Sequence, residues 1–282
     1  MRFAKLRKAE AAVAKVAFGL WLGAGPLPAV AADLTARDIS ILLFQAPAGS
    51  HPSLSNRNLT RLDLAALDFK KADLRQANLF GTDLTDANLS GADLTGASLD
   101  RATLIKARFD GATLDDATMM RPSTTSTLTP LPGEAPSLKG ASLKRVKFFG
   151  DFSGSDFSGA DLTDSVCAPL NKTGFIEHLW RTIFAGANLS GAILTRANMD
   201  RAQLSFAVLK GAVMQATKLK EADLSGADLS GADLSGADLT GADLTDANLT
   251  GANLTGALLD GVRGLDTLKG VPLARTSDKI IR

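Results

Sequence analysis

Bulky apolar residues recur at every fifth position along most of this chain. From Ala222 onward the unit is plain: ADLSG three times over, then ADLTG, ADLTD and ANLTG. The central residue falls at 54 and onward by fives to 119, at 138, 143, 148, 152, 157, 162 and 167, and from 184 by fives to 259. These are 37 units, with Leu, Phe or Met at every centre except Cys167. One unit, Val146-Lys147-Phe148-Phe149, is a residue short. A helix turns one face forward about every 3.6 residues and a strand every second one, so a period of five fits neither. No single straight element can bury all these centres. A chain that turns a corner at each unit can: the centre points inward on every side, and the residue two before it does the same, as alternation along a short extended segment requires. Ala holds that second position in 25 of the 37 units, which fits a tight axis. The residues flanking the centre face out. Asp or Asn before the centre suits a side-chain hydrogen bond to nearby backbone, and the closing Gly suits a turn with φ > 0.

Four right-angle corners close a square, so twenty residues make one coil. The units resemble the pentapeptide-repeat family, whose pattern is A-(D/N)-L-x-x. The resemblance covers residues 52–169 and 182–261 and departs from the pattern at two insertions and the short unit. It implies an all-β fold, a right-handed quadrilateral β-helix solenoid. With coils about 4.8 Å apart, the units give about nine coils and a column of about 45 Å.

The remaining segments read differently. Residues 1–15 carry five basic residues against Glu10, and Val16–Ala32 has no charge. With Ala29-Val30-Ala31 as a small-x-small site, residues 1–32 read as a secretory signal peptide, with an uncleaved anchor as the alternative. Residues 33–51 hold Thr35-Ala36-Arg37-Asp38 before ISILLF, a capping box opening a short apolar helix at about 35–45 that is placed to lid the first coil. Repeats fill 52–121. A Ser/Thr/Pro-rich loop occupies 122–135, repeats resume over 136–169, and an amphipathic insertion fills 170–181. The third run is 182–261, and 262–282 form a tail that turns charged.

Composition narrows function more than fold. The chain has 31 Lys+Arg and 30 Asp+Glu, and a mature form without the leader stands at about −3. Near-neutral charge argues against nucleic-acid binding. One Cys excludes an intramolecular disulfide, and Cys167 sits at an inward centre. His occurs only at 51 and 178, so no metal cluster, cofactor or catalytic constellation is expected. The repeated Asp lacks the nine-residue period of calcium-binding β-rolls.

The expected function is a non-enzymatic, periplasmic or secreted protein-interaction scaffold with a partner in the cell envelope. No membrane span is expected in the mature form, and a homodimer is compatible with the sequence. Some family members mimic DNA and bind gyrase; the leader and the weak charge speak against that alternative. Ice binding by a flat Thr ladder is another, weakened by mixed outward columns. Candidate partner-contact residues are Phe175, His178, Trp180 and Arg181 of the second insertion, and Arg61, Arg101 and Arg121, which share a corner column through Gly81. Trp and Arg are enriched at interface hot spots. Residues 182–221 are basic on balance, whereas 222–261 carry seven Asp and no Lys or Arg.

Overall fold

The unit around residues 228–232 shows why this pentapeptide repeats. Asp228 N–H donates to Ala207 O of the preceding coil (2.9 Å), and Leu229 N–H to Asn248 O of the following one (2.8 Å). Ser230 N–H donates to its neighbour Asp228 Oδ1 (3.0 Å). Gly231 N–H reaches Thr250 O (2.9 Å), and Ala232 N–H closes a turn onto Leu229 O (3.0 Å). All five backbone donors are satisfied, four by backbone and one by the carboxylate. The Asp or Asn before the centre supplies the acceptor that the coil geometry leaves out. A Ser or Thr after the centre adds its hydroxyl to the same oxygen, as in Thr240 to Asp238 and Thr245 to Asp243, both at 2.6 Å.

The computed structural model describes residues 32–47, 49–69, 71–127, 131–168 and 181–270. Residues 1–31, where a leader is expected, the tail from 271 on, and most of the second insertion, Phe175, His178 and Trp180 included, lie outside the described residues. The compact unit that carries the repeats runs Ala32–Arg282. Its architecture is an all-β solenoid. Parallel bridges pair each unit with the one a coil later, as in Ser53–Asp73, Asn58–Asn78, Asp63–Asp83 and Asp68–Asn88, so four ladders run along the column. The centres and the Ala residues two before them form one continuous buried core from Leu54 to Leu249. Each buried Leu contributes about 1.5–3 kcal/mol. Thr replaces Ala at 82 and 217, and both hydroxyls are satisfied at 2.8 Å by the carbonyls of Leu59 and Leu194.

The left-handed conformation belongs to the corner rather than to glycine. The residue two after the centre has φ between +52 and +62 at eighteen non-glycine positions, from Asn56 to Asp246. The backbone hydrogen bonds on both sides hold it there whatever the side chain.

The bridge register also locates the irregularities. Partners are twenty residues apart up to Thr103–Ser123, then twenty-nine at Arg108–Ser137, nineteen at Ser137–Asp156, thirty-two at Asp151–Ile183, twenty again from Ile183–Gln203 to Asp243–Arg263, and twenty-one at Asn248–Lys269. The ladder therefore holds through Ser123, and Thr124 is still buried before the chain leaves the column. At the short unit the chain runs extended instead of turning: β1 (Thr118–Met120) pairs in parallel with β2 (Lys147–Phe149). Gly150 follows at φ 140, where a Cβ would sit 3.1 Å from Pro122 Cδ and 3.2 Å from Arg121 Cα. Phe148, Phe152, Phe157 and Phe184 fill this stretch, with ring centroids 5.3–6.1 Å apart.

Before the first coil, α1 (Ala36–Gln45) starts at Thr35, which exchanges capping-box hydrogen bonds with Asp38. Its Ile39 and Leu43 are buried in the same core as Leu54 and Leu59. At the other end Leu254, Val262 and Leu268 are only partly buried, and Leu258 is exposed.

Candidate interaction surfaces

Some corners carry a long charged side chain where others carry glycine, and these are candidate points of contact for a partner. Arg61 and Gly81 share one corner, since a Cβ on Gly81 would meet Arg61 Cγ at 3.4 Å. Successive backbone bonds, Arg61 to Phe80, Gly81 to Asp100 and Arg101 to Met120, carry the column upward, and Arg121 continues it by donating to Phe149 O. Arg61, Arg101 and Arg121 are all exposed on it. The Arg101 guanidinium lies over the Phe80 ring, 5.8 Å from its centroid, a cation–π contact on the flank of this corner. Asp100 accepts Met120 N–H at 2.9 Å and adds negative charge beside it. Arg201 extends the same column past the second insertion and pairs with Glu221 at 2.8 Å. The result is a mixed edge rather than a purely basic one. Arg181 is exposed where the described chain re-enters the column, and Phe175, His178 and Trp180 lie outside the described residues.

A second corner carries an ion ladder that sequence reasoning missed. Arg145 grips Asp116 with two bonds of 2.7 Å, and Arg196 grips Asp164 with bonds of 2.8 and 2.7 Å. The partners are 29 and 32 residues apart in sequence. The Arg145 hydrogen bond holds Asp116 below the usual carboxylate range, and Arg196 does the same for Asp164. Reading it from sequence needed the register on both sides of each insertion. These groups are exposed or half-buried at the surface, so they shape the surface more than they stabilise it.

Other groups offer little chemistry. Cys167 is fully buried, and burial pushes its thiol up to about 12, which leaves it protonated and inert. His51 Nδ1 is 2.9 Å from Lys71 O. Among the described residues no group of His, Cys, Asp or Glu could hold a metal ion, and no helix is long and apolar enough to cross a membrane. Carboxylates on successive coils are relieved by Asn: Asn248 Nδ2 donates to Asp228 and Asn253 Nδ2 to Asp233, both at 3.0 Å.

The family profile for pentapeptide repeats (8 copies) matches residues 53–86, 82–119, 178–211, 197–236 and 222–261. More than half of the chain is covered, and the chain belongs to the pentapeptide-repeat family. That is a non-catalytic structural family, and the chain is a repeat protein, not an enzyme.

Among solved structures it is similar to HetL, a pentapeptide-repeat protein involved in heterocyst differentiation regulation from the cyanobacterium Nostoc sp. strain PCC 7120. The two share 30% identity over 73% of this chain and 86% of HetL, with a TM-score of 0.32. A second Nostoc pentapeptide-repeat protein is 38% identical over 33% of this chain and 79% of its own, with a TM-score of 0.30. QnrB1, a plasmid-mediated fluoroquinolone resistance protein, is 21% identical over 75% and 91%, with a TM-score of 0.30. A search among curated proteins finds no match.

Proposed function

We propose that this chain is an exported, non-enzymatic scaffold that binds a protein partner in the cell envelope. In full, it is a right-handed quadrilateral column of about nine coils, lidded at its start by α1 and interrupted by two outward insertions. The observation that carries export is where the compact unit begins. It starts at Ala32, the last residue of the uncharged run and directly after the Ala29-Val30-Ala31 site. Asp33 is already tied to the first coil: its N–H donates to Asn58 O at 2.8 Å, and its carboxylate accepts Asn58 N–H at 2.6 Å. Cleavage just before this residue removes the leader and leaves those bonds intact. The scaffold role is supported by the outward surface, where polar side chains cover four ladders and Arg61, Arg101 and Arg121 mark one corner. The insertion residues Phe175, His178, Trp180 and Arg181 are proposed as the second contact.

Two measurements test this. Mass spectrometry of the chain from fractionated cells should find a mature N-terminus at Ala32 or Asp33 outside the cytoplasm; an intact Met1 in the membrane fraction contradicts cleavage, and an intact Met1 in the cytoplasm contradicts export. Envelope pull-downs with the wild type and a deletion of 171–181 should differ in captured partners. An unchanged partner set with the column still folded places the contact elsewhere.

A further inference from the structure

Among the described residues Phe206 is the one bulky apolar side chain on a left-handed corner, and it is 72% exposed. The position is unfavourable twice over: a bulky residue at φ 58 is strained, and an exposed aromatic ring loses its burial. Two residues on, Val208 takes the outward place that Asp228 and Asn248 hold in the next two coils of the same ladder, and it is 37% exposed. With Val in place of Asp, Lys210 N–H has no protein acceptor among the described residues, although the equivalent Ser230 N–H has Asp228.

Charge changes sign at the same level. Residues 182–221 hold five basic side chains against Asp200 and Glu221; residues 222–261 hold only acids. Lys210 and Asp228 lie on this face one coil apart, and Lys210 is near enough to Asp228 of its own chain to help hold that carboxyl below its usual range without closing an ion pair with it. The far edge of the face is smooth beyond Lys71, which stands at its first level. Its corner column is glycine at 91, 111, 140, 159, 191, 211, 231 and 251.

We propose that this face pairs side by side, antiparallel, with a second copy of the chain. A two-fold interface must be self-complementary, so a patch that meets its own copy needs both signs on one surface. A two-fold axis between the Lys210 and Asp228 levels sets each lysine against the other copy's aspartate. Phe206 and Val208 then form the apolar centre, and the glycine edge lets two backbones approach. The inference does not depend on export or on an envelope partner.

The test is sedimentation equilibrium of the purified chain, as the producing cell processes it, at low and high salt. The wild type should dimerise at low salt and less at high salt. Phe206→Gly should weaken the dimer at least tenfold while leaving the melting temperature unchanged or higher, because glycine suits that corner. Lys210→Glu should weaken it as well. A wild type that stays monomeric at low salt into the near-millimolar range overturns the proposal, as does a Phe206→Gly dimer of unchanged affinity.

Discussion

The coils from Ala187 to Leu249 and the stretch from Thr118 to Phe184 perform the same task by different means. In the first, every coil is twenty residues, Leu or Met fills the centre, and Asp or Asn before the centre completes most units. In the second, coil lengths run to twenty-nine, nineteen and thirty-two, and the repeated parts no longer match from coil to coil. There the core turns aromatic, β1 and β2 replace a turn, Gly150 makes room against Pro122, and the Arg145 and Arg196 pairs reach across the insertions. A regular column is stabilised by repetition, since each coil supplies its neighbour's partners. A break in register removes that supply, and specific volume and specific contacts take its place. The consequence is that one substitution should matter more in the broken stretch than in the regular one.

The largest expected contrast is in the core. Phe152→Ala opens a space among four packed rings and should cost about 3–5 kcal/mol. Leu209→Ala, in a regular coil, should fall toward the lower part of the range of about 2–5 kcal/mol. Denaturant melts of the two variants rank them. A smaller loss for Phe152→Ala would show that the ring cluster is no special support.

Gly150→Ala comes next. It adds a Cβ against Pro122 and Arg121 at φ 140 and should lower stability by more than about 1 kcal/mol. The opposite exchange on a regular corner, Ala216→Gly, should raise it by about 1 kcal/mol or less, because Ala216 is held at φ 52. Opposite shifts in melting temperature sharpen the comparison, and shifts of the same sign break it.

Acid should act on the regular coils through the carboxylates that complete their units. The Thr245 hydroxyl and N–H hold Asp243 below the usual carboxylate range, and Ser230 heads the groups that do so for Asp228. A lowered folded pKa stabilises above the unfolded value of about 4, and that stability is lost as pH falls through the folded value. Melting temperature should therefore drop below about pH 4. Asp243→Asn keeps an acceptor, removes one titrating group, and should make the drop slightly shallower. An unchanged pH profile in that variant would show that Asp243 contributes nothing to it.

Much of the fold was legible because its period is rigid. Centres such as Leu54, Phe69 and Leu229 and the Ala residues before them are inward, as alternation requires. The role of Asp228 was readable as a backbone acceptor; that it completes the donors of its unit was not, since that depends on which bonds the neighbouring coils make. Corner conformation was only half legible. Gly at a corner suggests φ > 0, but nothing in Arg196 or Phe206 announces the same backbone. Of the candidate contacts, Arg61, Arg101 and Arg121 could be aligned by counting in twenties, because no insertion separates them. Arg145 and Asp116 could not, because the loop between them hides how many residues the ladder skips.

The direct test of the account is the pair Leu229→Asp and Ser230→Asp, adjacent residues carrying the same new charge. The side chain of Leu229 lies in the dry core, and burying an unpaired carboxylate there is strongly unfavourable, whereas residue 230 points out of the core and is only half-buried. Thermal melts should show Leu229→Asp collapsing and Ser230→Asp close to wild type. Equal losses for the two would contradict the inward and outward assignment on which the whole column rests.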